Sequence, residues 1–429
     1  MRFFILSLTS LFLFGCSSND ETPTITNPTQ NTPNILFIIA DDLGKDAING
    51  FSEGTIKPNT PNIDAIRNAG LSFTNFWSYP TCSPTRASIL TGKYGYRTGV
   101  KWAGDEISLS ETSLQKYINE ETNNKYTTAI VGKWHLSGNS STFNPEILGI
   151  DYYAGLIRGE PQSYNNWLLT EDGTSNIETE YATTKFTDLA TDWINQQEKP
   201  WFLWLAYNAP HTPFHVPPSE MHSQGFLPEF SSGMDETPYY MASIEAMDFQ
   251  IGKLLESMTT EKRENTVIIF IGDNGTPNEV AQSPYTFFTA KGSLSQGGIN
   301  VPMFISGNGV SRTGIDENLI TSTDLFSTIA QITGVSSSEI HDSKSFKSLL
   351  SQSETIRNYQ YSEKDDGNNN LWTISNGSYK LFKNANGNDE FHDLNNDPYE
   401  QNNLLNGTLT TAENSIKTEL EAELNNIRN

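Results

Sequence analysis

Five short, continuously apolar runs alternate with helix-like segments over most of the chain. None of the runs shows the polar alternation of a strand with one face in water, so both faces of each are expected to be covered. Strands covered on both faces are typical of a parallel sheet packed between helices. The sequence therefore predicts an α/β fold with a large, mostly parallel sheet sandwiched by helices. The runs are residues 34–40, 127–131, 201–207, 266–272 and 301–306, and the helix-like segments are residues 62–68, 184–196, 241–258 and 323–333.

The pattern changes after residue 345. Three short strand-like runs, at residues 371–375, 379–383 and 390–394, are separated by Asn-Gly pairs of the kind that form tight hairpin turns. An amphipathic segment at about residues 411–427 then predicts a closing helix. We expect a large catalytic α/β domain over residues 34–345, followed over residues 346–429 by a smaller subdomain with an antiparallel sheet and one helix.

The N-terminal segment has the pattern of an export signal. Arg2 precedes an apolar run at residues 3–14, which is too short to span a bilayer. The run ends in Leu13-Phe14-Gly15-Cys16, which resembles the lipobox of bacterial lipoproteins, in which the cysteine is acylated and becomes the new N-terminus.

We therefore expect a signal peptide over residues 1–15, and a lipidated Cys16 with a flexible tether over residues 16–33. The protein would be lipid-anchored in the cell envelope, at the outer membrane or in the periplasm, with the lipid as its only membrane contact. Ordinary secretion with Cys16 unmodified is the alternative.

The net charge limits which partners the protein can bind, and the cysteine content leaves one thiol to be explained. The formal net charge is −24, which argues against nucleic acid as a partner and means that local groups would have to attract an anionic substrate. The chain has two cysteines, Cys16 and Cys82. If Cys16 carries lipid, Cys82 is a lone thiol in an exported protein, which is unusual.

Polar side chains follow four of the five predicted strands. Because the carboxyl ends of parallel strands meet at one edge of a sheet, we expect these side chains to lie together in a ligand site. Three carboxylates and an amide oxygen would suit Ca²⁺, or less well Mg²⁺, and not Zn²⁺. Taken singly, each pair of acids could be an ordinary turn. The residues are Asp41 and Asp42, Lys133 and His135, Asn208 and His211, and Asp273 and Asn274.

The lone thiol begins a second pattern. Pro84 suits the first turn of a helix and Gly92 suits its C-terminal cap, so Cys82 is expected at a helix N-terminus, where an anion is favoured. Arg86, one turn further along, can reach the same place. An ordinary helix start would explain the proline and the glycine but not the unpaired cysteine.

The Cys82-Ser83-Pro84-Thr85-Arg86 segment and the Ala-Ser-Ile-Leu-Thr-Gly that follows resemble the signature of the sulfatases, a family within the alkaline phosphatase superfamily. The resemblance extends over almost the whole chain from Asn34. It includes Asn34 to Asp42, Gly132-Lys133-Trp134-His135, Ala209-Pro210-His211-Thr212-Pro213, Gly272-Asp273-Asn274-Gly275, Lys291-Gly292, Gly297-Gly298-Ile299-Asn300-Val301-Pro302 and Asp393-Leu394-Asn395-Asn396-Asp397-Pro398.

The resemblance implies a sulfuric ester hydrolase. Cys82 would be oxidised to formylglycine by a formylglycine-generating maturation enzyme, and the hydrate of this aldehyde would be the nucleophile. The resemblance implies that Ca²⁺ is bound by Asp41, Asp42, Asp273, Asn274 and the modified residue 82. Arg86 and Lys133 would activate the hydrate, and His135 would remove the proton of its second hydroxyl. His211 and Lys291 would contact the sulfate, and His211 would protonate the leaving alcohol.

Three positions depart from the family pattern. Residues 45–47 lack the aromatic that often follows the first acidic motif, Gln296 replaces a common glutamate, and Asn300 replaces a common arginine. None belongs to the implied catalytic set. Two rival functions remain open: a phosphoesterase or phosphonate hydrolase of the same superfamily, and a non-catalytic, glycan-binding surface lipoprotein.

The expected substrate is a sulfated carbohydrate, with a marine algal polysaccharide such as ulvan as the first guess. Two pairs of residues follow catalytic segments, Lys101-Trp102 and Phe214-His215. Trp102 and Phe214 offer apolar faces for a sugar ring, and Lys101 and His215 could meet a second anionic group. Alternatively, both aromatics only pack their loops.

Overall fold

The computed structural model describes residues 32–140 and 142–429. The predicted signal peptide, Cys16 and nearly all of the predicted tether lie outside these residues. No helix among the described residues has the length and apolar character needed to cross a bilayer.

The described residues form eighteen strands and ten α-helices. The strands are β1 (Asn34–Ala40), β2 (Leu71–Phe73), β3 (Phe76–Trp77), β4 (Thr127–Lys133), β5 (Tyr152–Leu156), β6 (Trp167–Glu171), β7 (Thr174–Glu178), β8 (Trp201–Ala206), β9 (Thr266–Gly272), β10 (Met303–Gly307), β11 (Gly314–Asp316), β12 (Ile320–Thr321), β13 (Glu339–Ile340), β14 (Ser343–Lys344), β15 (Gln360–Asp365), β16 (Asn370–Ser375), β17 (Tyr379–Asn384) and β18 (Glu390–Asp393). The helices are α1 (Pro61–Asn68), α2 (Cys82–Thr91), α3 (Gly95–Thr98), α4 (Leu114–Glu121), α5 (Ala182–Asn195), α6 (Thr237–Ser257), α7 (Thr260–Glu264), α8 (Gln296–Ile299), α9 (Asp324–Ile332) and α10 (Thr411–Arg428).

Ten strands form one large sheet in the order β11-β2-β10-β9-β1-β8-β4-β5-β6-β7. Its centre, from β9 to β5, is parallel throughout, whereas β10 and β6 run antiparallel to the strands they join. This confirms the predicted fold class. The run at residues 301–306 forms β10. The strand begins at Met303, two residues later than expected, so Val301 and Pro302 precede it.

The central strand β1 explains why its sequence is apolar without alternation. Ile35 and Phe37 pack in the core on one face of the sheet, and Leu36 and Ile38 pack in the core on the other face. The first core is covered by α2, α4 and α9, and the second by α1, α5 and α6. Every residue of β1 is therefore buried.

The C-terminal part is a four-stranded antiparallel sheet, ordered β15-β16-β17-β18, against which α10 packs. Gly377 and Gly387 adopt φ of 86°, the left-handed conformation expected of the two Asn-Gly turns. Strand β15 was not predicted, because its sequence is mostly polar. Its polar side chains form hydrogen bonds to backbone carbonyls of the larger domain. Ser362 Oγ donates to the Ser78 carbonyl at 3.0 Å, and Gln360 Nε2 donates to the Ile320 carbonyl at 2.8 Å.

Candidate active site

Two acidic pairs meet where neighbouring strands end. Ala40 and Gly272 are register partners in β1 and β9, so the residues that follow them leave the sheet side by side. The backbone N–H of Asp42 donates to Asp273 Oδ1 at 3.0 Å, and Asn274 Nδ2 donates to Asp42 Oδ1 at 2.7 Å. The predicted convergence at the carboxyl edge is therefore present for these residues.

Cys82 is the first residue of α2, which ends at Gly92 with a φ of 68°. Its thiol is buried and lies 3.2 Å from Asp41 Oδ1, 3.9 Å from Asp42 Oδ1 and 3.3 Å from Lys133 Nζ. Burial and the Asp41 carboxylate raise the pKa of the Cys82 thiol well above its usual range. The unmodified residue is therefore a neutral thiol and a poor nucleophile.

Three basic side chains, of which Arg86 and Lys133 are buried, pair with the carboxylates. Lys133 Nζ donates to Asp41 Oδ2 at 2.5 Å, Arg86 Nη2 donates to Asp273 Oδ2 at 2.8 Å, and Lys291 Nζ donates to Asp42 Oδ2. Burial by itself would raise the pKa of Asp42, but its interactions with His211, Lys291 and Lys133 hold that pKa well below its usual range.

The donor set fits a hard divalent cation. Ligand atoms of Asp41, Asp42, Cys82 and His211 lie within 4.8 Å of one another. Asn274 Oδ1 is buried and has no hydrogen-bond partner among the described residues. Burial and the nearby Asp41 charge raise the pKa of Asp273 from its usual 3.8 to about 6. An orphaned amide oxygen beside mutually repelling carboxylates suits a hard divalent cation.

His135 is held next to this cluster by backbone contacts. Its φ is 59°, and its carbonyl accepts a hydrogen bond of 2.8 Å from Ser83 Oγ. A Cβ on Gly159 would lie 2.4 Å from His135 Nε2, so only glycine fits there. Burial, followed by the charges of Lys133 and Arg86, lowers the pKa of His135 well below its usual range. The imidazole is therefore neutral and able to accept a proton.

His211 approaches the cluster from the loop after β8. Its Nδ1 lies 2.8 Å from the Thr212 carbonyl, and its Nε2 lies 3.6 Å from Asp42 Oδ2. The contact with the carbonyl requires Nδ1–H, which leaves Nε2 facing the acids. Burial lowers the pKa of His211 to about 4, so the ring is neutral before an anion binds.

A sulfatase family model matches residues 33–335, and a second model, described as N-sulphoglucosamine sulphohydrolase, C-terminal, matches residues 285–429. The chain belongs to the sulfatase family. This confirms the resemblance found in the Cys82 segment, and the matched residues include all of the predicted catalytic and metal-binding positions.

Two curated sulfatases are similar to the chain. The uncharacterized sulfatase YdeN of Escherichia coli is 29% identical over 377 residues, covering 74% of this chain and 65% of that protein. Human N-acetylgalactosamine-6-sulfatase is 29% identical over 342 residues, covering 71% of this chain and 62% of that protein. The match thus spans just under two thirds of the length of these relatives.

A solved structure matches this chain over a larger share of both chains. The crystal structure of Ps i-CgsB in complex with k-i-k-neocarrahexaose superimposes with a TM-score of 0.76 at 25% identity, covering 92% of each chain. The central sheet and the C-terminal sheet are therefore both shared with that structure.

The two pairs of predicted sugar-binding residues differ in how enclosed they are, and Lys101 and Trp102 form the more open pair. The tip of the Trp102 ring is 3.7 Å from where a Cβ on Gly292 would stand, next to Lys291, and Lys364 Nζ lies 4.6 Å from its ring centroid. Lys101 pairs with Asp365 at 3.1 Å. Trp102 thus lies beside the loop that carries Lys291, and its contact with a sugar stays a prediction.

The second predicted pair is more enclosed. The His215 ring stacks on Tyr164 with 3.9 Å between centroids, and its Nε2 lies 3.0 Å from Tyr181 Oη. Phe214 packs edge-on against Phe230. These contacts favour a packing role for both side chains in the free protein.

Sequence reasoning missed the loop after β5. Gly159 packs against the His135 ring, and the Gly159 carbonyl accepts a hydrogen bond from Asn208 Nδ2 at 3.3 Å. Tyr164 Oη donates to the His211 carbonyl at 2.8 Å. The signal was available, because residues 152–157 form a sixth apolar run that ends at the same sheet edge.

Proposed function

We propose that this protein hydrolyses sulfate esters of carbohydrates at the cluster around residue 82. The observation that carries the proposal is the position of Cys82. Its buried thiol begins α2 between the Asp41 carboxylate and the Lys133 ammonium, in the segment that carries the family signature. A sulfate bound there would meet the N-terminus of a helix together with buried Arg86 and Lys133 and half-buried Lys291.

Residue 82 acts as formylglycine, made by a maturation enzyme. The environment supports this because it suppresses the thiolate that an unmodified cysteine would need. The hydrated aldehyde supplies one hydroxyl to attack sulfur and a second whose deprotonation expels sulfate, so that one difficult step becomes two easier ones. Lys133 and Arg86 hold and activate the attacking oxygen.

Two histidines handle the protons. His135, neutral because burial and neighbouring cations lower its pKa, takes the proton of the second hydroxyl. His211 presents Nε2 to the cluster and protonates the leaving alcohol, because a bound anion favours its charged form. Lys291, which pairs with Asp42 in the free protein, turns to the sulfate oxygens.

Asp41, Asp42, Asp273 and Asn274, with the modified residue 82, would hold Ca²⁺ in preference to Mg²⁺. The bound ion would offset negative charge on the sulfate oxygens. The orphaned Asn274 oxygen and the raised pKa of Asp273 support this assignment.

The substrate class is a sulfated carbohydrate. One relative is named for a sugar sulfate, and the similar solved structure holds a neocarrahexaose. A marine algal polysaccharide such as ulvan, carrageenan or fucoidan is the substrate to test first. The acidic surface, with a net charge of −24, suits saline surroundings.

The reaction is tested by comparing 4-nitrophenyl sulfate with 4-nitrophenyl phosphate, using protein matured with a formylglycine-generating enzyme. We expect kcat/KM to be at least about a hundredfold higher for the sulfate. A higher value for the phosphate would replace the proposal with the phosphoesterase alternative.

The modification is tested separately by mass spectrometry of the tryptic peptide of residues 68–86, which contains Cys82. We expect the mass of a formylglycine peptide from natively produced protein. An intact cysteine throughout, with sulfated glycan bound but not cleaved, would favour the glycan-binding lipoprotein.

A further inference from the structure

A cavity of about 340 Å³ opens between the loop that follows β5 and the β6–β7 hairpin. This volume lies within the range of about 300–1,000 Å³ that is usual for small-molecule sites. Side chains of several chemical kinds line it, including Arg158, Glu160, Gln162, Asn166, Leu168 and Ile177.

The cavity adjoins the catalytic cluster through the β5 loop. Glu160 Oε2, which lines the cavity, lies 3.8 Å from His211 Nδ1 and accepts from Thr212 Oγ1 at 3.5 Å. The neighbouring residue Gly159 packs against His135. One side of the loop therefore contacts both catalytic histidines, and the other side borders the cavity.

Arg158 stands out in this wall. Among the described arginines, only Arg158 and Arg263 have no described carboxylate within 4.0 Å. The Arg158 guanidinium is exposed and donates one hydrogen bond, from Nη2 to the Asn139 carbonyl at 3.1 Å. In a chain with a net charge of −24, an arginine left without a carboxylate next to the site is available to bind an anion.

The remaining lining suits a sugar ring. Leu168 and Ile177 are 40% and 72% exposed, and offer aliphatic surface for the C–H face of a ring. Gln162 and Asn166 are exposed amides that can bond to hydroxyl groups. Apolar surface with a few orienting polar groups is the usual composition of a ligand site.

We propose that this cavity is a subsite for the sugar next to the sulfated one, and that Arg158 binds an anionic substituent on that sugar. The substituent is a carboxylate or a second sulfate, since both accept the paired N–H donors of a guanidinium. The inference rests on the proposed sulfatase function and extends it to substrates with charge on the adjacent sugar.

The test uses three synthetic disaccharides that carry the same cleavable sulfate. The neighbouring sugar is neutral in the first, a uronate in the second and sulfated in the third. We expect Arg158→Ala to lower kcat/KM for at least one charged-neighbour probe about tenfold more than for the neutral probe, since the variant loses the charge-assisted hydrogen bonds to that substituent. Arg158→Lys should recover part of this loss, because it restores the charge without the fork.

Arg263→Ala is the matched control, since Arg263 is the other described arginine without a carboxylate partner. It lies on α7, just before the start of β9, whereas the candidate site follows the end of that strand. It should leave the preference among the three probes unchanged. The probe that shows the larger loss with Arg158→Ala identifies the substituent. Equal losses on all three probes, or the same change in preference with Arg263→Ala, would overturn the subsite.

Calorimetric binding to Cys82→Ser protein separates this inference from the proposed function. If the wild type releases no sulfate, the proposed function fails. Tighter binding of a charged-neighbour probe that depends on Arg158 would still support the subsite, and equal dissociation constants with and without Arg158 would overturn it.

Discussion

At the scale of single residues, the candidate site consists of three buried carboxylates, each of which is paired with a basic side chain. Asp41, Asp42 and Asp273 each contact a cation, yet the pKa of Asp273 remains raised to about 6 because burial and Asp41 disfavour its charge. A divalent cation among these oxygens would remove that repulsion. Metal binding should therefore stabilise the fold as well as support catalysis.

Asp273→Asn tests this coupling. Ca²⁺ at a hundred times its dissociation constant should stabilise the wild type by about 2.7 kcal/mol. The rise in Tm between chelator and Ca²⁺, followed by scanning fluorimetry, should fall to less than half in the variant, because one charged ligand is lost. An equal rise in both proteins would contradict the assignment.

Asp248→Asn is the control for this experiment. Asp248 is also a buried carboxylate whose pKa burial raises to about 6, but it accepts from the N–H groups of Asn62 and Ile63 at the start of α1. The variant should be less stable in both conditions and should keep the full response to Ca²⁺.

Much of the site could be predicted from the sequence because strand ends fix where side chains emerge. Asp41, Asp42, Asp273 and Asn274 follow β1 and β9 directly, and Cys82 is placed by the helix signals of Pro84 and Gly92. The fit of Gly159 against His135 could not be predicted. It depends on two loops that approach within van der Waals contact, and no local pattern encodes that distance.

At the scale of elements, the C-terminal sheet holds the segment that follows Lys291. Lys364 Nζ, on β15, donates to the Gly292 carbonyl at 3.0 Å. Lys380 Nζ, on β17, donates to the Leu294 carbonyl at 2.7 Å and to Glu400 Oε1 at 2.5 Å. Glu400 Oε2 in turn accepts from the Gln296 N–H at 2.8 Å. This network ties the smaller sheet to the loop that carries Lys291.

Lys380→Met should destabilise the protein strongly. It would leave Glu400 buried without its cation, and breaking a buried pair costs about 3–5 kcal/mol. The free energy of unfolding from urea titration measures the effect. Lys417→Met is the control: its pair with Glu421 lies at the surface, with both side chains partly exposed, and spans one turn of α10, so its loss should cost about 0.5 kcal/mol or less. Similar costs for the two variants would show that the buried pair does not hold the sheets together.

The elements that were missed are those without a continuous apolar signal. The sequence of β7 is polar and largely exposed, and β15 is polar although buried. Periodicity detects burial of apolar side chains, whereas β15 is fixed by polar contacts to residues far away in the chain, such as Ser78. The five central runs were recognisable because both of their faces meet apolar cores.

At the scale of the whole molecule, strong overall acidity coexists with three basic side chains at the candidate site. The net charge of −24 would repel a polyanionic substrate at long range, but this repulsion is screened beyond about 8 Å at physiological ionic strength. Arg86 and Lys133, which are buried, and Lys291, which is half-buried, act within that distance. We propose that the protein works lipid-anchored in the cell envelope, through Cys16 and a flexible tether.

Cys16→Ser tests the anchor. Full-length protein made in a bacterial host should partition into the detergent phase, because acylation by two or more chains gives stable attachment. The variant should partition into the aqueous phase with the same specific activity, since no catalytic group lies in the tether. Wild-type protein found in the aqueous phase would contradict the lipoprotein assignment.

We propose residue 82 as the centre of sulfate ester hydrolysis. The most direct measurement is sulfate released by matured wild type and by Cys82→Ala, followed by ion chromatography on one sulfated oligosaccharide, with Tm as the control for folding. We expect a loss of about a thousandfold or more in the variant, because the nucleophile is gone while the start of α2 is kept. Sulfate release by a folded Cys82→Ala protein at a rate close to that of the wild type would contradict it.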